Sequence, residues 1–314
     1  MRWGRNGRKW PYRKISFLIS ESEILKSFNR LIKNNEESSS ILVGSGDDAA
    51  VISSKSKNLV HSLDISTAGV HFPENSDPTD IAYRSISIAL SDLAAMGAYP
   101  SFITIGLTSE SMDKIWYERF TDGVEKVLKK HDIKLIGGDI TKGKLNICVN
   151  VFGYLFNKPI TRKNAKINDD IYVSGVLGIA RQGLIDWNNK KNSEYIDKFF
   201  RPEPRFDISK LISKYANSCI DISDGLMCDL KKICNASRVG AVIDFEKIPK
   251  INGENDINYG DDYELCFTAS PNMRGKIDTK LNFLIGKITK DKEIYLIKNN
   301  KKMNFNKKGW DSFD

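Results

Sequence analysis

The pattern of hydrophobic and polar positions predicts a mixed chain in which strands and helices alternate. Hydrophobic residues spaced three or four apart indicate helices from Thr79 to Met96 and from Met112 to His131. Period-two or short apolar runs indicate strands at Leu59–Leu63, Ser101–Leu107, Lys134–Ile136 and Leu145–Phe156. The order strand, helix, strand, helix, strand, strand predicts an α+β layer with helices on one face of a sheet.

Two further features divide the chain. A capping box at Ser20-Glu-Ser-Glu23 predicts a helix to about Lys33, and Asn157 to Asn168 reads as a linker. Beyond the linker we expect a strand at Ser218–Ile222, a helix to about Ala236 and a strand at Glu264–Thr268. A length of 314 residues fits two domains. The predicted organisation is a basic arm (1–19), an N-terminal domain (20–156) and a C-terminal domain (157–314).

Composition narrows the class of protein. Hydrophobic residues make up 40% and charged residues 28%, which is typical of a folded globular protein. No apolar run approaches the ~20 residues of a membrane span, and the run after the basic N-terminus is too short for a secretion signal. The five cysteines contain no C-x-x-C pair, so we expect reduced thiols and no zinc site. Because neither a membrane span nor a secretion signal is found, we expect no membrane partner and a cytoplasmic location.

The net charge of +8 is concentrated at the N-terminus, where residues 1–14 hold six basic residues and no acid. A solvated arm explains this charge without a nucleic-acid partner. Nucleic-acid binding is therefore the less favoured interpretation. Aromatic residues do interleave with the arginines at Trp3, Trp10 and Tyr12, so an RNA-binding protein stays open as an alternative. An over-long gene start would explain the arm equally well.

A set of acidic residues stands apart from the lysine-rich surface pattern. These acids lie among Gly, Ser and apolar residues, a context typical of loop tips that leave buried strands. The set comprises Asp47, Asp48, Asp64, Asp92, Asp139, Asp221, Asp224, Asp261, Asp262 and Glu264. Each could instead cap a helix or a turn, because Asp is common at such positions.

Carboxylates that converge in one cleft repel one another, and a divalent cation removes that penalty. Oxygen ligands favour Mg²⁺, Mn²⁺ or Ca²⁺. Mg²⁺ uses only one or two carboxylates and leaves its remaining positions to water and phosphates, so dispersed acids suggest several Mg²⁺ ions around a polyphosphate. Gly138 to Lys144 matches most of a P-loop, but Leu145 and a predicted strand follow it, so a P-loop is rejected.

Taken together, these segments resemble the thiamine-monophosphate kinase family, within the superfamily of aminoimidazole ribonucleotide synthetase and selenophosphate synthetase. The resemblance covers about residues 20–314. It is carried by Gly44-Ser-Gly-Asp-Asp-Ala-Ala50, Asp64 with Gly69-Val-His-Phe72, Leu90-Ser-Asp-Leu-Ala-Ala-Met-Gly-Ala98, Gly137-Gly-Asp-Ile-Thr-Lys-Gly143, Arg162 with Ala165-Lys166, Asp221-Ile-Ser-Asp-Gly-Leu226, Gly260-Asp-Asp-Tyr-Glu-Leu265 and Gly309-Trp-Asp-Ser-Phe313.

The resemblance implies phosphorylation of thiamine monophosphate by ATP, with Mg²⁺ as cofactor. It also implies a homodimer whose N-terminal sheets form a barrel, with ATP bound between the two halves of each chain. Asp92, Asp139 and Asp224 would be catalytic. The implied Mg²⁺ ligands are Asp47, Ser62, Leu63 through its backbone, Asp64, Asp92, Asp139, Asp221 and Asp224. The implied ATP contacts are Gly138, Asp139, Arg162 and Ser223, and the substrate contacts are His71, Asp261, Trp310 and Phe313.

The chain departs from the family in two places: Tyr259-Gly-Asp-Asp-Tyr-Glu264 replaces Gly-Gly-Glu-Asp-Tyr-Glu, and Leu63 stands where Thr is common. The chemistry nevertheless suits the residues. A phosphate monoester is already a nucleophilic anion at neutral pH, so in-line transfer requires no general base. A ligase or cyclase of the same superfamily is the rival enzyme class.

Overall fold

The structure, a computed structural model, describes residues 41–43, 51–52, 59–110, 113–277, 282–304 and 309. The helix predicted from Ser20 lies outside these residues. The chain divides into two compact units. The first runs to Leu90 and resumes over Pro100–Tyr154, and the second comprises Ser91–Tyr99 and the chain from Leu155 onward.

The first unit combines a small sheet with two long helices. Its elements are β1 (Ile41–Val43), β2 (Val51–Ile52), β3 (Leu59–Thr67), α1 (Pro78–Ala95, whose last turn belongs to the second unit), β4 (Ala98–Ser109), α2 (Lys114–His131), β5 (Lys134–Lys142) and β6 (Asn146–Leu155). The sheet order is β3-β6-β4-β5, so β3 is an edge strand. β3 pairs antiparallel with β6, and β4 pairs parallel with β5 through the α2 crossover.

The two helices of this unit differ in how they are buried. Residues 81–91 of α1 are all buried, which is typical of a helix that is covered on every side. α2 is amphipathic and buries Tyr117, Phe120, Val124 and Val127, spaced three or four residues apart. Both helices agree with the predicted bounds to within two residues, because their periodicity is strong.

Two strands are longer than predicted. β3 continues past Asp64 to Thr67, because residues 65–67 pair with residues 146–148 of β6. β5 continues through Gly137, Gly138 and Asp139 to Lys142, in parallel register with β4. The prediction that Asp64 and Asp139 stand at strand exits is therefore wrong, since both lie within strands.

The second unit is built on a seven-stranded sheet. Its elements are β7 (Asp170–Val173), α3 (Ile179–Asn188), α4 (Glu194–Phe200), α5 (Phe206–Ile212), β8 (Ala216–Asp221), α6 (Leu226–Ser237), β9 (Gly240–Asp244), β10 (Leu265–Ala269), β11 (Phe283–Thr289), β12 (Ile294–Lys298) and β13 (Lys301–Asn304). The strand order is β13-β12-β9-β11-β7-β10-β8, with β9 and β12 parallel and the other pairs antiparallel.

Apolar residues cover both faces of the central strands of this sheet. Along β7, Ile171 and Val173 pack with α6, whereas Tyr172 packs with α5 and with the last turn of α1. Helices α3, α4 and α5 were not predicted, because each is short and weakly periodic.

All five cysteines are free thiols. In the part of the chain that the structure describes, no helix combines the length and the hydropathy that a membrane span requires.

Candidate active site

Two loops of the second unit lie side by side because their strands are neighbours. β8 ends at Asp221, which pairs with Leu265 at the start of the antiparallel strand β10. Three backbone hydrogen bonds then join the loops: Asp261 N–H to Ser223 O (2.8 Å), Tyr263 N–H to Ile222 O (3.0 Å) and Ile222 N–H to Glu264 O (2.8 Å). The predicted acidic segments 221–224 and 261–264 are thus brought together.

Gly260 allows this close approach. Its φ is +65°, in the left-handed region, and an added Cβ would lie 2.1 Å from Ser223 O and 2.6 Å from Gly225 N. The following loop is strained as well, since Asp261 and Tyr263 also have positive φ values of 67° and 53°. Left-handed non-glycine residues persist only where their surroundings hold them, and they are frequent in ligand-binding sites.

Asp224 is held by an ion-pair network at the start of α6. The Lys232 ammonium donates to Asp224 Oδ2 at 2.6 Å and to Asp229 Oδ1 at 2.7 Å. Asp229, which is fully buried, also accepts from the backbone N–H groups of Asp224 and Gly225 at 3.0 and 3.1 Å. Its carboxylate therefore caps the helix and fixes the peptide that carries Asp224.

Burial and the neighbouring charges shift the pKa values of Asp229 and Lys232 in opposite directions. Burial raises the pKa of Asp229 above its usual value, and the neighbouring Lys232 lowers it only in part. For Lys232, burial alone would lower the pKa, but the hydrogen bonds and charges of Asp224 and Asp229 raise it overall. The lysine is therefore firmly protonated at neutral pH.

Two acids of the 261–264 segment serve the fold. The Asp262 carboxylate accepts from the N–H groups of Gly178 (2.9 and 3.0 Å) and Ala180 (3.4 Å), and so caps α3. Burial raises its pKa well above the usual range. Glu264 accepts from Ser174 Oγ and the Arg205 guanidinium. The helix-capping alternative is thus correct for Asp262, whereas the role of Asp261 as a substrate contact stays a prediction.

The last turn of α1 contributes to the same unit. Ser91 is buried, and its hydroxyl donates to Asp221 Oδ2 at 2.8 Å. Asp92 follows it and is half-buried. The buried Asp221 carboxylate therefore has a specific hydrogen-bond donor, as a buried carboxylate requires.

In the first unit, the alternation of β3 separates the residues predicted as metal ligands. Ser62 and Asp64 point to one face of the sheet, and Leu63 points to the other. Leu63 is 47% exposed. Any contact from Leu63 to a metal on the Asp64 face would have to use its backbone.

A tight loop after β3 orients His71. The backbone N–H of Thr67 donates to His71 Nδ1 at 3.1 Å, and Arg84 Nε donates to the His71 carbonyl at 3.0 Å. Because Nδ1 accepts, the neutral imidazole carries its proton on Nε2. That N–H is a donor suited to an anionic substrate.

Gly138 and Asp139 lie next to β4 in the β5 register. An added Cβ on Gly138 would be 2.2 Å from Ile105 O, so no larger residue fits without backbone movement. The Asp139 side chain is exposed, and its Oδ1 accepts from Ile140 N–H at 2.9 Å.

Arg162 is separated from Ser223 by a helix. The Arg162 carbonyl accepts from Ser237 Oγ (2.7 Å) at the C-terminal end of α6, whereas Ser223 precedes the N-terminal end. A helix of 12 residues is about 18 Å long, so the two backbones are not adjacent.

Gly309 lies beside the Asp224 loop. An added Cβ on Gly309 would lie 2.7 Å from both Asp224 O and Cys228 Cβ. Trp310 and Phe313, predicted as substrate contacts, lie outside the described residues, and so does Asp47.

The donor chemistry of the acids suits Mg²⁺. Among the residues that the structure describes, no three His, Cys, Asp or Glu side chains form a ready-made metal site. Mg²⁺ does not require one, because one or two carboxylates with water and phosphate oxygens complete its shell. Asp221 and Asp224, three residues apart at the end of β8, carry carboxylate oxygens of this kind.

Sequence reasoning missed Asp229, Lys232 and Ser91 as parts of this site. An acid in the first turn of a predicted helix is a usable signal for Asp229, since it suggests a cap. The spacing of Lys232, three residues further on, fits an ion pair on the same helix face. No local signal links Ser91 to Asp221, because 130 residues separate them.

Comparison with known proteins places the chain among related enzymes. The family model described as AIR synthase related protein, N-terminal domain, matches residues 46–155. A thiamine-monophosphate kinase of Buchnera aphidicola is 37% identical over 322 residues, which cover 94% of this chain and 99% of the relative. The thiamine-monophosphate kinase of Escherichia coli is 37% identical over 298 residues, with 86% and 92% covered.

Solved structures agree with the sequence relatives. The crystal structure of thiamine-monophosphate kinase from Stenotrophomonas maltophilia matches with a TM-score of 0.80 and 32% identity, over 86% of this chain and 95% of that one. A ThiL structure complexed with AMPPCP and TMP matches with a TM-score of 0.74 and 30% identity, over 94% and 99%. A hydrogenase maturation protein HypE bound to ATP shares the fold, with a TM-score of 0.72 at 14% identity.

Proposed function

The chain belongs to the thiamine-monophosphate kinase family, and we propose that it transfers the γ-phosphoryl group of ATP to thiamine monophosphate, giving ADP and thiamine diphosphate. The site observation that carries this proposal is the joined pair of loops at 221–224 and 261–264. Together they present carboxylates on a backbone held by Gly260 and by the Asp229 cap.

The proposed reaction is a direct in-line transfer. The acceptor phosphate is the nucleophile, so the protein needs to bring two anions together and does not need to remove a proton. His71, whose Nδ1 accepts from the backbone N–H of Thr67, is proposed to contact the acceptor phosphate. Asp261 is proposed to face the positively charged thiazolium ring, and Trp310 and Phe313 to stack on it.

Bound Mg²⁺ would supply positive charge that offsets the negative charge of the phosphates. The residues proposed to hold it are Asp47, Ser62, Leu63 through its backbone, Asp64, Asp92, Asp139, Asp221 and Asp224. Gly138, Asp139, Arg162 and Ser223 are proposed as ATP contacts. Asp92, Asp139 and Asp224 would then be the catalytic acids.

We also propose that the protein is a homodimer that works in the cytoplasm. Three apolar residues of the edge strand β3 lie on one face of the sheet, and their exposed fractions are 45% for Leu59, 47% for Leu63 and 49% for Ile65. An apolar row of this kind is costly in water, and a second copy of the chain would bury it. Sedimentation should give about twice the 35.5 kDa of one chain, and Ile65→Arg should shift the mass toward the monomer.

Incubation with ATP, Mg²⁺ and thiamine monophosphate tests the activity directly. We expect thiamine diphosphate and ADP to form in equal amounts, measured by chromatography with fluorescence detection. Consumption of ATP without formation of thiamine diphosphate would contradict direct transfer to this acceptor. No turnover of thiamine monophosphate at any Mg²⁺ concentration would show that the kinase assignment is wrong.

A further inference from the structure

The Lys232 side chain places a positive charge next to the loop that carries Asp224. Its ammonium lies within hydrogen-bonding distance of two carboxylates, 2.6 Å from Asp224 Oδ2 and 2.7 Å from Asp229 Oδ1. The two acids differ in exposure: the side chain of Asp229 is fully buried, and that of Asp224 is 25% exposed. A cation from solvent can therefore reach Asp224 more easily than Asp229.

The position of the lysine is set by α6. Asp229 and Lys232 lie three residues apart on one helix face, and the Asp229 carboxylate caps the same helix through two backbone N–H groups. Without Lys232, the Asp229 and Asp224 carboxylates would stand close together, and among the described residues only those two hydrogen bonds would offset their repulsion. Helix α6 thus supplies the ammonium group of Lys232 as the counter-charge to these two carboxylates.

We propose that Lys232 is a positioning residue whose ammonium group binds the Asp224 carboxylate in the nucleotide-free protein. A divalent cation that binds Asp224 must then share this carboxylate with the ammonium group. The inference rests on the proposed role of Asp224 as a metal ligand. It accounts for how the acids of this loop stay close together before metal and nucleotide arrive. It also predicts that the lysine weakens metal binding in the resting protein.

The expected effect follows from charge. Removing one positive charge from beside a carboxylate that binds a divalent ion should tighten that binding on the order of tenfold in a water-like dielectric. A tenfold lower Kd corresponds to about 1.4 kcal/mol of extra stabilisation at saturating metal. For a chain of this size that corresponds to an additional rise in Tm of roughly 2–4 °C.

The test compares three full-length variants without nucleotide. Lys232→Met removes the charge, Lys232→Arg keeps it, and Lys231→Met is the matched control, because Lys231 is its exposed neighbour on the same helix. Mg²⁺ binding is measured by titration calorimetry, and Tm is measured in EDTA and in saturating MgCl₂. Should Lys232→Met fold poorly, Lys232→Gln removes the charge while retaining a donor.

We expect Lys232→Met to have a lower Tm in EDTA, a larger rise of Tm with Mg²⁺ and about tenfold tighter Mg²⁺ binding. Lys232→Arg and Lys231→Met should behave like the wild type. Equal Mg²⁺ affinity and equal Tm gain in the wild type and in the charge-removing variants would overturn the proposal. Because no nucleotide or thiamine compound is present, this outcome is independent of whether the wild type makes thiamine diphosphate.

Discussion

Replacing Gly260 with alanine should disable the acidic loops while leaving most of the protein intact. The residue has a φ of +65°, which costs an alanine about 1–2 kcal/mol. The new Cβ would also lie 2.1 Å from Ser223 O, whereas ordinary contact begins at 3.4 Å. Relief of such overlap typically costs about 1–3 kcal/mol, so we expect a total loss of about 2–5 kcal/mol in the free energy of unfolding.

The catalytic effect follows from the same geometry. The 260–264 loop must move away from Ser223 by about 1 Å, and a displacement of that size typically lowers kcat/KM about 100-fold. Urea unfolding followed by fluorescence gives the stability, and thiamine diphosphate formation gives kcat/KM. Gly275→Ala is the matched control, since nothing lies within 4 Å of its added Cβ. If Gly260→Ala matched this control within about 0.5 kcal/mol, the size of a neutral surface substitution, and within about twofold in kcat/KM, the close-approach reasoning would be refuted.

Three further changes test other parts of the site. Asp262→Asn should cost about 1 kcal/mol through its weakened cap on α3, measured by thermal unfolding. Because burial raises the folded-state pKa of Asp262, the stability of the wild type relative to this variant should be greatest below about pH 4 and decline as the pH rises. A constant difference between about pH 3 and about pH 8 would contradict this expectation. Asp92→Asn should lower kcat by about 100-fold or more without unfolding the protein, whereas the exposed Glu118→Gln should not change it; unchanged turnover in Asp92→Asn would refute the magnesium mechanism. Ser91→Ala should destabilise the protein by about 1.5–3 kcal/mol, because buried Asp221 loses a charge-assisted hydrogen bond, and a neutral effect in urea unfolding would contradict that reading.

The long helices and the acidic segments could be predicted from the chain alone. Residues 79–96 and 112–131 carry helical periodicity over several turns, so local pattern determined them to within two residues. Asp221 and Asp224 were recognised because their surroundings lack basic residues. The short helices over 179–212 were missed because fewer than three turns give little periodicity, and tertiary packing stabilises them.

Strand ends and the roles of individual acids were decided by tertiary structure. β3 and β5 extend past Asp64 and Asp139 because neighbouring strands offer partners there, and that pairing is not encoded in either segment alone. Asp262 resembles its neighbour Asp261 in sequence, yet it caps a helix that starts more than 80 residues earlier.

The sequence by itself thus determined which segments carry the chemistry, because the residue types and spacings of the motifs are local properties. Only the tertiary structure decided which hydrogen-bond partner each acid has in the fold, since partners such as Ser91 for Asp221 come from distant parts of the chain. Burial and hydrogen bonding are properties of the folded chain, and they separate side chains that the sequence presents as equivalent.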